Sequence, residues 1–88
     1  MSTILVIDDD ESIRRTLQKV LTKENYTVLT AANGGEGIQL VEQEQPAVVI
    51  SDIRMPGMDG LTALEKIKMI EKNIAVVIIT AHDDMQST

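Results

Sequence analysis

Four short apolar runs punctuate this chain, and what lies between them leaves few ways to fold. Thr3 to Ile7 (TILVI), Tyr26 to Thr30 (YTVLT), Ala47 to Ser51 (AVVIS) and Ile74 to Thr80 (IAVVIIT) read as strands bounded by polar or turn-forming residues. In the first intervening stretch Ile13, Leu17, Val20 and Leu21 share one helical face, with Arg14, Arg15 and Lys19 largely on the other. The second is opened by Asn33-Gly34-Gly35, carries Ile38 and Val41, and must end before Pro46. The third has Asp59 as its N-cap, turns Leu61, Leu64 and Ile67 inward and Lys66, Lys68 and Lys72 mostly outward. Strand, helix and strand in three overlapping units imply an α/β fold with a parallel sheet, right-handed crossovers and helices on its faces.

Eighty-eight residues make at most one small domain, with roughly two-thirds of the unfolded surface available for burial. One tyrosine and no Phe or Trp mean that its core is aliphatic. Without cysteine there is no disulfide framework, and neither a leader pattern nor a membrane-length apolar run is visible, so a soluble cytoplasmic chain is expected. A net charge of -6, with only eight Lys and Arg, disfavours direct binding to nucleic acid and suits a cation. Val76 to Ile79 is apolar at every position, the mark of a strand buried on both faces, yet only eight residues follow Thr80. An uncovered apolar edge, and self-association through it, are therefore expected.

In an open parallel sheet ligands bind beyond the carboxyl ends of the strands. Three such ends carry polar groups: Asp8-Asp9-Asp10 after the first strand, Asp52 after the third and Thr80 after the fourth. If the first and third strands are neighbours, their acids meet, raise one another's pKa and demand a counter-ion. Mg²⁺ is the usual answer, because it takes oxygen ligands from one or two carboxylates while sharing a phosphate. An aspartate beside Mg²⁺ can attack phosphorus and become an aspartyl phosphate, and the Thr80 hydroxyl can then hydrogen-bond the new group. Plainer readings exist for single residues. Acids near a helix start cap free amides for up to about 1 kcal/mol each, Pro56-Gly57 makes a turn, Asp59 reads as a cap, and His82 and the methionines at 55, 58 and 69 read as loop or core filler. Three acids in a row exceed what a cap needs.

The segments ILVIDDD, SIRR, AANGGEG, PAVVISDIRMPGMDGL and VVIITAH, in this order and spacing, resemble the receiver domain of two-component response regulators. The wording SDIRMPGMDG and TAH is similar to receivers of σ54-dependent transcription activators. The resemblance implies a flavodoxin-like, CheY-like doubly wound sheet, here β1-α1-β2-α2-β3-α3-β4 in strand order 2-1-3-4. It implies Asp52 as phosphoacceptor, Thr80 as switching hydroxyl, and Mg²⁺ held by Asp9 directly, by Asp8 mainly through water, by Asp52 and by the main-chain carbonyl of Arg54. A sensor histidine kinase is the implied phosphoryl donor, and the output domain is of the σ54-activator type, with no direct contact to nucleic acid or membrane. The chain is then a phosphoacceptor rather than an enzyme with turnover, catalysing only its own phosphorylation and dephosphorylation. Family receivers continue past the fourth strand through a helix, a fifth strand with an aromatic switch residue and a Lys-Pro pair, and a final helix. Residues 1–88 are thus expected to be the N-terminal portion of a receiver in which phosphorylation is impaired without that lysine.

Two competing functions use the same residues. Asp8-Asp9-Asp10-Glu11-Ser12 after a strand approximates the DxDx(T/V) signature of haloacid-dehalogenase-type phosphohydrolases, with Asp8 as nucleophile and Asp10 as acid and base. Ser12 departs from that pattern, and the reading leaves SDIRMPGMDG unused. The other is a fold fragment that self-associates through its uncovered strand without signalling.

Overall fold

Thr3–Ile7 (β1), Thr27–Ala31 (β2), Val48–Asp52 (β3) and Ala75–Ile79 (β4) hydrogen-bond into one sheet in the order β2-β1-β3-β4, every pair parallel. The structure is a computed structural model and describes residues 2–52 and 60–79. Glu11–Lys23 (α1), Gly34–Glu44 (α2) and Gly60–Ile70 (α3) are the crossovers. The alternation is the one the apolar runs imply, and the strand order is the one the receiver resemblance implies. Several strand bounds shift by one residue: β2 is Thr27–Ala31, β4 begins at Ala75, and β3 begins at Val48 and runs one residue past Ser51, so that Asp52 is its last paired residue, opposite Ile79.

The connection from β1 leaves toward β2, whereas that from β3 leaves toward β4. The chain therefore diverges between β1 and β3, and a crevice opens there at the carboxyl ends. β1 is covered on both faces: Ile4, Leu5, Val6 and Ile7 are all buried, as a central parallel strand requires. Leu5, Ile7 and Val49 point to the face where α2 and α3 pack on each other, and there they meet Val41, Leu64, Ile67 and Ile74. Each such aliphatic side chain contributes roughly 1.5–3 kcal/mol by leaving water. Gly37 lets α2 approach β1 closely, because a Cβ there would fall on Ile7 Cδ1 and lie 3.0 Å from Ile7 Cγ1.

The helix starts follow local chemistry. Asp10 caps α1 by accepting from the Ser12 amide at 2.8 Å. Asn33 caps α2 through the Glu36 amide at 2.9 Å, and the Glu36 carboxylate reaches back to the Ala32 amide at 3.0 Å, a reciprocal arrangement close to a capping box. Asp59, the expected cap of α3, lies outside the described residues, as does the side chain of Leu61; Leu64 and Ile67 face inward as expected.

One expectation from periodicity needs correction, and two apolar surfaces stay partly wet. The first helix has an apolar face of which no residue is fully buried, with Val20 53% exposed. Lys68 does not simply face water, since its Nζ donates to the Ile74 carbonyl just before β4. β4 is also not buried on both faces. Val77 and Ile78 remain 49% and 44% exposed, so among the described residues its covering is partial, in keeping with the uncovered edge that the sequence implies.

Candidate functional site

The register brings the acids together. Ile7 stands opposite Ser51 on one side and Ala31 on the other, so Asp8 emerges at the central strand's end beside Asp52 at the end of β3. One carboxylate oxygen from each of Asp8, Asp9 and Asp52 lies within 4.8 Å of the others. Asp8 is buried at 1% exposure, Asp52 is half-buried and Asp9 is open to solvent. The Asp8 amide continues the sheet by donating to the Ala31 carbonyl at 3.1 Å, and its Oδ1 accepts from the Asp10 amide at 2.9 Å. Its Oδ2 is buried with no hydrogen-bond partner. Ser51, fully buried behind Asp52, donates through Oγ to the Asp52 carbonyl at 3.1 Å.

Burial is the largest cause that raises the Asp8 carboxyl above the ordinary 3.8; the Asp10 amide opposes it, and the negative charges of Asp52, Asp9 and Asp10 raise it further. The sequence suggests mutual repulsion as the main perturbation, and in the fold desolvation comes first. An orphaned buried oxygen beside two further carboxylates is costly as it stands and fits an oxygen-seeking divalent cation. Asp8, Asp9 and Asp52 are the residues that could hold one. Arg54 and Thr80, the other expected members, lie outside the described residues, together with Met55, Pro56, Gly57, Met58 and His82.

The sequence profile of the response regulator receiver domain matches residues 4–88. The chain belongs to that family. This receiver is 42% identical over 82 residues to sporulation initiation phosphotransferase F of Bacillus subtilis, covering 93% of this chain and 66% of that protein. It is 43% identical over 84 residues to the DNA-binding transcriptional regulator NtrC of Escherichia coli, covering 96% of this chain but 18% of NtrC. The chain thus spans just under two-thirds of one relative and a small part of the other. Among solved structures it is similar to the response regulator TrrA of Thermotoga maritima in complex with Mg²⁺ and BeF, with a TM-score of 0.88 and 36% identity, covering 99% of this chain and 76% of that one. TrrA in complex with the histidine kinase ThkA matches with a TM-score of 0.86 at 36% identity, over 93% of this chain and 71% of that one.

Within the receiver, Asp10 caps α1, and the three acids whose oxygens gather are Asp8, Asp9 and Asp52, a set that includes the Asp52 which the phosphohydrolase reading leaves unused. One residue at the site was not legible as such. Arg14, assigned by periodicity to the wet face of the first helix, is half-buried, and its Nη1 donates to the Asp8 carbonyl at 2.6 Å. The only signal for it was its place one turn into a helix that follows the acids, which also holds for any long side chain there. No helix of the described residues is long and apolar enough to cross a membrane.

Proposed function

We propose that this receiver takes a phosphoryl group from a histidine kinase onto Asp52 and relays the change to an output domain of the σ54-activator type, in the cytoplasm. The reading is carried by one observation: Asp8, Asp9 and Asp52 converge at the sheet's diverging point, with Asp8 Oδ2 buried and unsatisfied. Asp9, exposed, is the direct Mg²⁺ ligand, Asp8 acts mainly through water, and the Arg54 carbonyl completes the set. When bound, Mg²⁺ offsets charge on the transferring oxygens. An Asp52 oxygen forms the new bond to phosphorus while the phosphorus-nitrogen bond of phosphohistidine breaks and the imidazole leaves with its electron pair. Thr80 then donates its hydroxyl to the phosphoryl group, and the added charge shifts a two-state surface that a partner reads. The domain accepts and loses this group and does not process a small substrate.

Mass spectrometry after incubation with acetyl phosphate and Mg²⁺ tests the assignment. A phosphoryl adduct on Asp52, lost in D52N and in EDTA, is expected. An adduct on Asp8, or rapid turnover of small phosphate esters, overturns it. A second element is self-association through β4, supported by the exposure of Val77 and Ile78; a monodisperse monomer by light scattering at high concentration refutes it.

A further inference from the structure

Arg14 and Arg15 are neighbours on α1 with opposite fates. Arg15 reaches along the helix to Glu11 at 3.0 Å, an exposed pair with side chains 74% and 67% accessible that contributes little. Arg14 turns back across the helix start, and its guanidinium meets the Asp8 carbonyl at 2.6 Å. That carbonyl lies one residue past the last register pair of β1 and β2, Ile7 with Ala31, on the residue whose amide makes the final bond to the Ala31 carbonyl. The Arg14 amide on the Asp10 carbonyl at 3.1 Å is the first hydrogen bond of the helix, which any residue at that position makes. The turn is closed besides by the Asp10 amide on Asp8 Oδ1 and by the Arg14 guanidinium on the Asp8 carbonyl, and only the last depends on the arginine side chain.

We propose that Arg14 is a positioning residue of the acidic site: by holding the Asp8 carbonyl it fixes the β1–α1 turn and so aims the Asp8 and Asp9 carboxylates at the point they share with Asp52. The guanidinium binds the main chain, at the Asp8 carbonyl. This suits a site that must keep its negative charge for an incoming metal. A partner that orients ligands without touching the metal typically governs affinity by about 10–100-fold. The inference rests on the Mg²⁺ reading above for its consequence, and on the turn alone for its cause.

The test uses the full chain and four forms: unsubstituted, R14M, R14K and V41A, the last removing core volume away from the acids to match a loss of stability. Mg²⁺ titration followed by amide NMR is expected to show about tenfold weaker binding in R14M, partial recovery in R14K, whose ammonium can still donate to a carbonyl, and unchanged affinity in V41A. Hydrogen exchange in the metal-free chain is expected to show the Asp10 amide losing protection in R14M and not in V41A. Equal Mg²⁺ affinity in R14M and the unsubstituted chain, or an Asp10 amide unaffected by R14M, overturns the inference. If R14M does not fold, R14K carries the same comparison, and affinity and protection unchanged in it count against the role. Failure of the unsubstituted chain to bind Mg²⁺ would instead sink the site reading, while the Asp10 amide still decides whether Arg14 fixes the turn.

Discussion

Replacing Asp8 by asparagine is expected to make the metal-free receiver more stable, although it removes a group from the site. In the native fold Asp8 Oδ1 is satisfied by the Asp10 amide and Oδ2 is buried with no partner, while one oxygen of this carboxylate has carboxylate oxygens of Asp9 and Asp52 within 4.8 Å. D8N keeps an oxygen for the Asp10 amide and turns the other atom into a donor aimed at acceptors already present. Leaving a buried polar atom unpaired costs about 1–3 kcal/mol, and more when it is charged, so relief of about 1–3 kcal/mol is expected. For a domain of this size each kcal/mol moves Tm by about 4–8 °C, which puts the gain at roughly 4–24 °C. Thermal unfolding in EDTA at neutral pH should be followed by far-UV circular dichroism, because the chain has a single tyrosine and no tryptophan. Mg²⁺ should then stabilise the unsubstituted chain more than D8N. A D8N form no more stable than the unsubstituted chain in EDTA would refute the view that an unpaired, desolvated Asp8 is a cost the metal-free chain carries.

The same group sets a pH dependence. Its native pKa is raised above the unfolded value of 3.8, so the folded state keeps this proton where the unfolded chain has lost it. The contribution is fully present below the unfolded value and is lost as pH rises through the native one. Metal-free stability relative to D8N should therefore improve on acidification from neutral pH, and Mg²⁺ affinity should weaken over the same range because proton and metal compete; titrations at several pH values that show no such opposition would contradict this. Gly37→Ala sets a helix-propensity gain of about 1 kcal/mol against overpacking of about 1–3 kcal/mol on the fully buried Ile7. A net loss of up to about 2 kcal/mol in urea unfolding is expected, and a more stable variant would show that Ile7 moves aside freely.

Much of this architecture could be read from residue order alone. Apolar runs separated by helical spacing dictate parallel strands, and the acids follow strand ends because that is where such a sheet opens. Asp10 and Asn33 act as the caps their types suggest. What stayed hidden belongs to long side chains and to neighbours distant in sequence. Periodicity places a Cα on a helix face, but Arg14 and Lys68 carry flexible stems that bring their charges back to carbonyls of Asp8 and Ile74. The depth at which Asp8 sits, and hence the dominance of burial over repulsion, depends on β2 and β3 flanking it together, a relation no local pattern contains.

Parity along β3 has a consequence for how this site can fail. Successive side chains on a strand face opposite ways, so sliding β3 by one residue would exchange Ser51 for Asp52 at the crevice and send the carboxylate to the other side of the sheet. A slip of two restores the facing but carries it about 6.6 Å along the strand, beyond the 4.8 Å within which the three oxygens gather. The acidic trio is thereby a gauge of strand alignment, and a receiver whose middle strands are mispaired by even one step keeps its composition while losing both the inward facing of Val49 and the place where chemistry happens.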